Sequence, residues 1–220
     1  MEERAVRFPI LLKSYQCYLQ DGDTAKFIHA VASRYCVATL ERVLVEGDHL
    51  GRRAAALALG LIGNITCNQT LGPLLCDDDR KVRLVADDSL RSIWSRDGSA
   101  EQRYLLERIM RLNECGDYTQ AVQLASELID SNHLFAEAYH QRSLALFHLD
   151  ELEAAIEDCR SVLRLNAYHY AAMIGLGHCH LELGDLLESL FWFRSALETY
   201  PDLEAVRVQV RRLEIAIQEL

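Results

Sequence analysis

Proline and glycine are scarce in this chain, three and eleven among 220 residues. These two residue types punctuate turns, so their rarity leaves little material for a loop-rich fold and favours helices joined by short connections. Lysine is scarcer than arginine, three against twenty, a bias from which no function follows. No apolar stretch reaches eighteen residues without a charge, which excludes a membrane-spanning helix. The opening residues MEERAVRFPI lack the basic-then-apolar layout of a secretory signal, so a soluble cytoplasmic protein is expected. Seven cysteines form an odd and scattered set with no C-x-x-C pair, which argues against a disulfide framework and a zinc ribbon and for small buried thiols. There is no glycine-rich phosphate loop, no G-x-S-x-G elbow and no H-E-x-x-H pair. An enzyme is therefore not expected, nor any cofactor, metal or catalytic residue. What is present, half apolar and a quarter charged residues, is the composition of a folded globular chain.

Charge divides the sequence in two. Residues 1–98 hold thirteen Lys and Arg against thirteen Asp and Glu, and residues 99–220 hold ten against twenty, so the net −10 resides in the second part. The junction Ser95-Arg96-Asp97-Gly98-Ser99 has a glycine after a helical run and then Ser99 three places before Gln102, the pattern of a helix stop followed by a capping box. Domains of 1–98 and 99–220 are expected. An acidic second part and a neutral first part offer no basic excess for phosphate, which disfavours nucleic acid as a partner.

The second part repeats at a step of 34. Gly116-Asp117-Tyr118, Asp150-Glu151-Leu152 and Gly184-Asp185-Leu186 mark one turn three times, followed three residues later by Ala121, Ala155 and Ser189. Apolar residues recur at Leu128, Val162 and Ala196, and breaks at Asn132, Asn166 and Pro201. A fixed period of this size marks a stacked helical array. Over residues 102–201 the pattern resembles the tetratricopeptide repeat, with Tyr139, Ala155 and Leu163 in the middle copy and Leu176-Gly177, Phe193, Ala196 and Pro201 in the third. The first copy departs from it at Arg108-Ile109, and Asp150 replaces a turn glycine. The resemblance implies antiparallel helix pairs wound into an α-α superhelix.

The first part has a shorter period of 31. Val43–Asp48 aligns with Leu74–Asp79, and Arg52, Ala55, Leu59 and Ile62 align with Arg83, Ala86, Leu90 and Ile93. The pattern resembles a HEAT-type repeat, including the short class of phycobilisome-lyase-like proteins. Asp48 and Asp79 are expected to cap the helices after them. A third, weaker pair is placed within residues 9–34, capped at Asp23. The fold class expected is therefore all-α, a solenoid of HEAT-like hairpins followed by three tetratricopeptide hairpins. After Pro201, Val206, Val210, Leu213 and Ile217 recur at helical spacing, which reads as a terminal capping helix. A second apolar set at Val208, Ile215 and Leu220 makes a homodimer through this helix the alternative.

Clusters with chemical potential have plain explanations. His178 and His180 point about 200° apart on a helix and cannot share one ion. Asp77-Asp78-Asp79 reads as a turn at a helix N-terminus, Glu157-Asp158 as an exposed helical face, and Asn64 and Asn68 as turn residues. The repeat resemblance places Leu106, Met110 and Asn113, then Glu137, His140, Leu144, Phe147 and His148, then Ile174, His178, Leu181 and Glu182 on the concave face. It also implies that the Lys, Asn and Arg clamp of chaperone-binding members is missing, since Leu106, Met110, Ala171 and Gly175 stand there. A mostly apolar groove suits a peptide or helix of a protein partner. The function expected is a non-catalytic protein-interaction scaffold. A phycobilin-lyase-like or chromophore-binding protein, suggested by the HEAT-like resemblance, is the alternative.

Overall fold

The computed structural model describes residues 8–219, and every regular element among them is helical. The chain divides into two compact units, Met1–Arg96 and Asp97–Leu220.

In the first unit α1 (Pro9–Asp21) and α2 (Thr24–Ala32) form one pair, and α3 (Val37–Glu46) and α4 (His49–Ile62) a second. A 3-10 turn, the four-residue α5 (Asn68–Leu71) and a second 3-10 turn (Gly72–Cys76) then lead to α6 (Arg80–Arg96). The 31-residue step holds between α4 and α6, which start at 49 and 80. It fails for the preceding element, because Pro73 lies where α3 has continuous helix and can neither donate an amide nor fit a helix interior. The expected caps are made. Asp23, Asp48 and Asp79 accept the Lys26, Gly51 and Val82 amides at 2.9, 2.7 and 3.0 Å.

The alanines of α4 let α6 approach closely. Ala54, Ala55, Ala56 and Ala58 are all buried, and Ser89 of α6 donates to the Ala56 carbonyl at 2.9 Å. A Cβ on Gly60 would lie 2.4 Å from the Ser89 hydroxyl, so only glycine fits there. The acidic turn does more than cap. Asp77 takes both nitrogens of the Arg52 fork at 2.7 and 2.9 Å, and Asp79 pairs with Arg53. The Arg53 hydrogen bond holds the Asp79 carboxyl down at about 2. Asn68, expected to be a turn residue, is instead buried and accepts the Trp94 indole at 2.8 Å, while Asn64 does cap a turn through the Thr66 amide. Of the seven cysteines only Cys67, Cys159 and Cys179 are buried, because the others fall on helix ends and outer faces.

In the second unit α7 (Ala100–Cys115), α9 (Ala136–His148) and α11 (Tyr170–Glu182) alternate with α8 (Tyr118–Ser131), α10 (Leu152–Leu165) and α12 (Leu186–Thr199), and α13 (Glu204–Gln218) follows. The second helices begin at 118, 152 and 186, which is the 34-residue step. Ser99 and Gln102 form the expected capping box at the start of α7. Ala121, Ala155 and Ser189 are wholly buried, as are Leu128, Val162 and Ala196. Each turn closes alike, with the amides of Asp117, Glu151 and Asp185 donating at 2.9 Å to Leu112, Leu146 and His180. This closure needs a left-handed residue. Gly116 and Gly184 take φ of 79° and 77°, and Asp150 is forced to 63°.

Asp158 corrects the reading of Glu157-Asp158 as an exposed pair. Glu157 is exposed, but Asp158 is buried and takes the Arg142 fork at 2.7 Å through each oxygen, while Arg142 also donates to Ser126 at 3.0 Å. One guanidinium thus ties α8, α9 and α10 together. α13 packs Val206, Val210 and Leu213 onto Leu190, Phe193 and Ala196 of α12, the arrangement of a terminal cover.

Two substitutions test the register. Asp150→Gly relieves a left-handed side-chain residue and is expected to raise stability by about 0.5–1 kcal/mol. A Cβ at Gly177 would sit 2.6 Å from the Phe193 ring, so Gly177→Ala is expected to lower stability by about 1–3 kcal/mol. Urea unfolding followed by circular dichroism reads both, and an unchanged midpoint for Gly177→Ala contradicts the α11–α12 packing described.

Candidate functional site

The residues assigned to the face come from α7, α9 and α11, at successive 34-residue steps. Their surroundings differ sharply. Leu106 is 1% exposed and belongs to the core with Ile109, Ala121 and Phe135, so it offers no surface. Asn113 is occupied, its amide nitrogen donating at 3.0 Å to both the carbonyl and the side-chain oxygen of Gln141. Met110, Ile174 and Leu181 are half-buried, the first against the core around Ile109 and the other two against that around Phe193.

Glu137 is buried within a polar network that sequence reading places on the open face. Its Oε1 accepts from Gln141 Nε2 at 2.9 Å and lies 3.0 Å from His140 Nδ1, and its Oε2 lies 3.2 Å from His169 Nε2. His169, which the sequence did not single out, is the buried N-cap of α11, and its Nδ1 accepts the Ala172 amide at 3.2 Å. That bond leaves the ring proton on Nε2, so neutral His169 donates to Glu137. One carboxylate oxygen or ring nitrogen from each of Glu137, His140 and His169 lies within 4.8 Å of the others, close enough to hold a metal ion. The proton on Nε2 removes the lone pair that an ion would need. The His140 and His169 rings meet edge to face at 4.5 Å.

Burial raises the Glu137 carboxyl, but the His140 and His169 partners outweigh it and hold it below the ordinary carboxylate range. Burial lowers His169, and the neighbouring His140 adds to that against the pull of Glu137. His178 is lowered chiefly by burial.

The remaining positions form a strip of rings. His148 stacks on Tyr118 with centroids 4.4 Å apart, Phe147 meets His148 at 5.7 Å and His178 at 6.3 Å, and His178 meets Phe193 edge-on at 5.0 Å. Leu144, 37% exposed, lies one turn before Phe147 and His148 on α9. Glu182 ends α11 and is exposed. The strip therefore comprises Leu144, Phe147, His148 and His178, with Met110 and Leu181 beside it in the register. The face is narrower and more aromatic than the sequence implies. No feature of the sequence distinguishes Leu106 from Leu144, because helical period locates a face but not what covers it.

The network has a pH signature. Below about 6.5 an unfolded chain binds protons at His169 and His178 that the folded chain resists, so stability falls as pH drops through that value. Glu137 adds stability above its unfolded value near 4.5, and this is lost as pH falls further. Glu137→Gln is expected to cost about 2 kcal/mol at pH 7, and its gap from the parent is expected to narrow below about pH 4.5. Thermal melts from pH 7.5 to 3.5 check this. A gap independent of pH contradicts the charged network.

Residues 114–170 and 160–204 match the tetratricopeptide repeat model. Among solved structures, the first TPR of Spaghetti (RPAP3) bound to an HSP90 peptide is 21% identical with a TM-score of 0.53, covering 55% of this chain and 96% of its own. The NMR structure of the first TPR domain of the human RPAP3 protein is also 21% identical, with a TM-score of 0.52, covering 54% of this chain and 93% of its own. At such identity the likeness is one of fold. None of the described helices is long and apolar enough to cross a membrane. Over residues 114–204 the second unit is therefore similar to the tetratricopeptide repeat in sequence pattern and in fold.

Proposed function

We propose that the second unit is a non-catalytic interaction module that holds a segment of a partner protein against the strip formed by Leu144, Phe147, His148 and His178. The observation that carries the proposal is the run of partly exposed rings continuing from α9 to α11, from His148 through Phe147 to His178. Such rings offer large contact area at low entropic cost, and hot spots concentrate in central aromatic anchors. His148 and His178 give the face hydrogen-bonding edges that orient a bound backbone. The solved relative bound to an HSP90 peptide supports a peptide as ligand of this fold. The chaperone clamp positions here hold Leu106, Met110, Ala171 and Gly175, so the segment is held by other side chains than that clamp.

For the first unit the proposal is a HEAT-like pair of helical repeats. It is supported by the 31-residue step from α4 to α6 and by the shared aspartate caps of those two helices.

Peptides selected from a random twelve-residue display library on the full chain provide the probe. The pair Leu144→Ala and Phe147→Ala, made together, is expected to weaken their binding, read by fluorescence anisotropy, by about thirtyfold or more, the equivalent of ~2 kcal/mol. Half-buried Phe147 also touches the core around Cys159, so the double variant is expected to lose about 1–2 kcal/mol of stability yet remain folded at 25 °C. Leu144→Ala alone, at an exposed position, controls for that loss. Full retention of binding in the double variant overturns the proposal.

A further inference from the structure

α13 begins 34 residues after α11, as α11 does after α9. Its buried residues Val206, Val210 and Leu213 stand at the register of Ala172, Leu176 and Cys179, which are also buried. α13 is therefore a fourth first helix as well as a cover. The rows of the ligand-facing surface run on into it. Met110, Leu144 and His178 lead to Arg212, while Asn113, Phe147 and Leu181 lead to Ile215. Ile174 leads to Val208 in the same way.

Val208 and Ile215 are 42% and 58% exposed, and Arg211 and Arg212 are exposed between them. The other charges nearby are engaged, Arg207 with Glu204 at 3.0 Å and Glu214 with Arg194 at 2.7 Å. Arg211 and Arg212 have no carboxylate partner among the described residues, although acid outnumbers base two to one over residues 99–220. The face is thus two apolar side chains flanking two free guanidinium groups.

This composition selects its occupant. Ser143 and Gly177 are buried at the register of Arg211, and a Cβ at Gly177 would meet Phe193 of the following helix. Ile109 is likewise buried at that register, so an arginine there would carry its charge into the seam beneath any second helix packed on α13. Two copies paired antiparallel about the middle of Val208 and Ile215 would set Arg211 against Arg212, a like-charge contact. A carboxylate, in contrast, meets a planar guanidinium fork with two parallel hydrogen bonds.

We propose that the face of α13 docks the acidic end of the partner segment. An Asp or Glu of that segment pairs with Arg212, and Arg211 reinforces the field. Apolar neighbours in the segment cover Val208 and Ile215. The inference rests on the reading of the second unit as a peptide-holding module and adds the chemistry of what is held.

The same twelve-residue display library, panned on the full chain and on the double variant Arg211→Glu with Arg212→Glu, tests it. Both positions are exposed, so circular dichroism melts are expected to match the parent. Peptides enriched on the parent are expected to carry Asp or Glu beside apolar residues and to lose at least tenfold in affinity on the variant. Peptides with Lys in place of that acid are expected to recover it, and parent binding is expected to weaken with salt. Enriched peptides that bind parent and variant equally, yet are lost on the Leu144→Ala and Phe147→Ala pair, overturn the role of α13 and leave the module intact. Failure of the parent to enrich any peptide overturns both readings. A dimer in sedimentation that dissociates on arginine reversal makes a second copy the occupant and overturns the partner assignment.

Discussion

Close approach of two helices at one small residue is the constraint on which the second unit depends. Ala121, Ala155 and Ser189 recur at the point where each second helix crosses its first, and all three are fully buried. A larger side chain there would push the helices apart and carry the Leu128, Val162 and Ala196 layer away from the core. Ser189 pays no desolvation penalty for its hydroxyl because the Gly177 carbonyl accepts it at 2.8 Å. The same device appears in the first unit, where Ser89 and Gly60 bring α6 onto α4. In both, glycine on one helix faces a larger group on the next and a serine hydroxyl satisfies a carbonyl.

Polar groups buried between helices decide the order of stacking. Arg142 reaches Asp158 and Ser126, and Arg52 and Arg53 reach the acidic turn before α6. A buried ion pair adds little net stability, but an unpaired member is costly, so these contacts penalise any misregistered pairing of repeats. Arginine suits the task because its fork binds both carboxylate oxygens at once.

Periodicity made the fold legible. A 34-residue step in turns, small residues and breaks is visible in the letters because each repeat needs the same crossing point and the same left-handed closure. Capping was legible for the same reason, since Asp48, Asp79 and Ser99 act within three residues of themselves. What escaped was set by groups far apart in sequence. Asp158 reads as exposed until Arg142, sixteen residues earlier, is brought onto it. Glu137 reads as a face residue until His169, on the far side of α10, closes over it. Leu106 follows the same period as Leu144 and differs only in what lies above it. Pro73 was visible, but its consequence, two 3-10 turns and a four-residue helix where a full helix was expected, depends on how the surrounding helices accommodate the break.

The bond from Glu137 to His169 skips a helix. In a stacked array each repeat contacts only its neighbours, so loss of order spreads inward from an end. Here a carboxylate on α9 is fastened to the residue that starts α11, while α9 and α11 each also pack on α10. First helices of neighbouring repeats are therefore fastened directly to one another, α7 to α9 through Asn113 and Gln141 and α9 to α11 through Glu137 and His169, and fraying that begins at α13 meets a boundary at α11. Beyond that boundary the remaining helices gain or lose their order together, as a block rather than as a sequence of independent rungs.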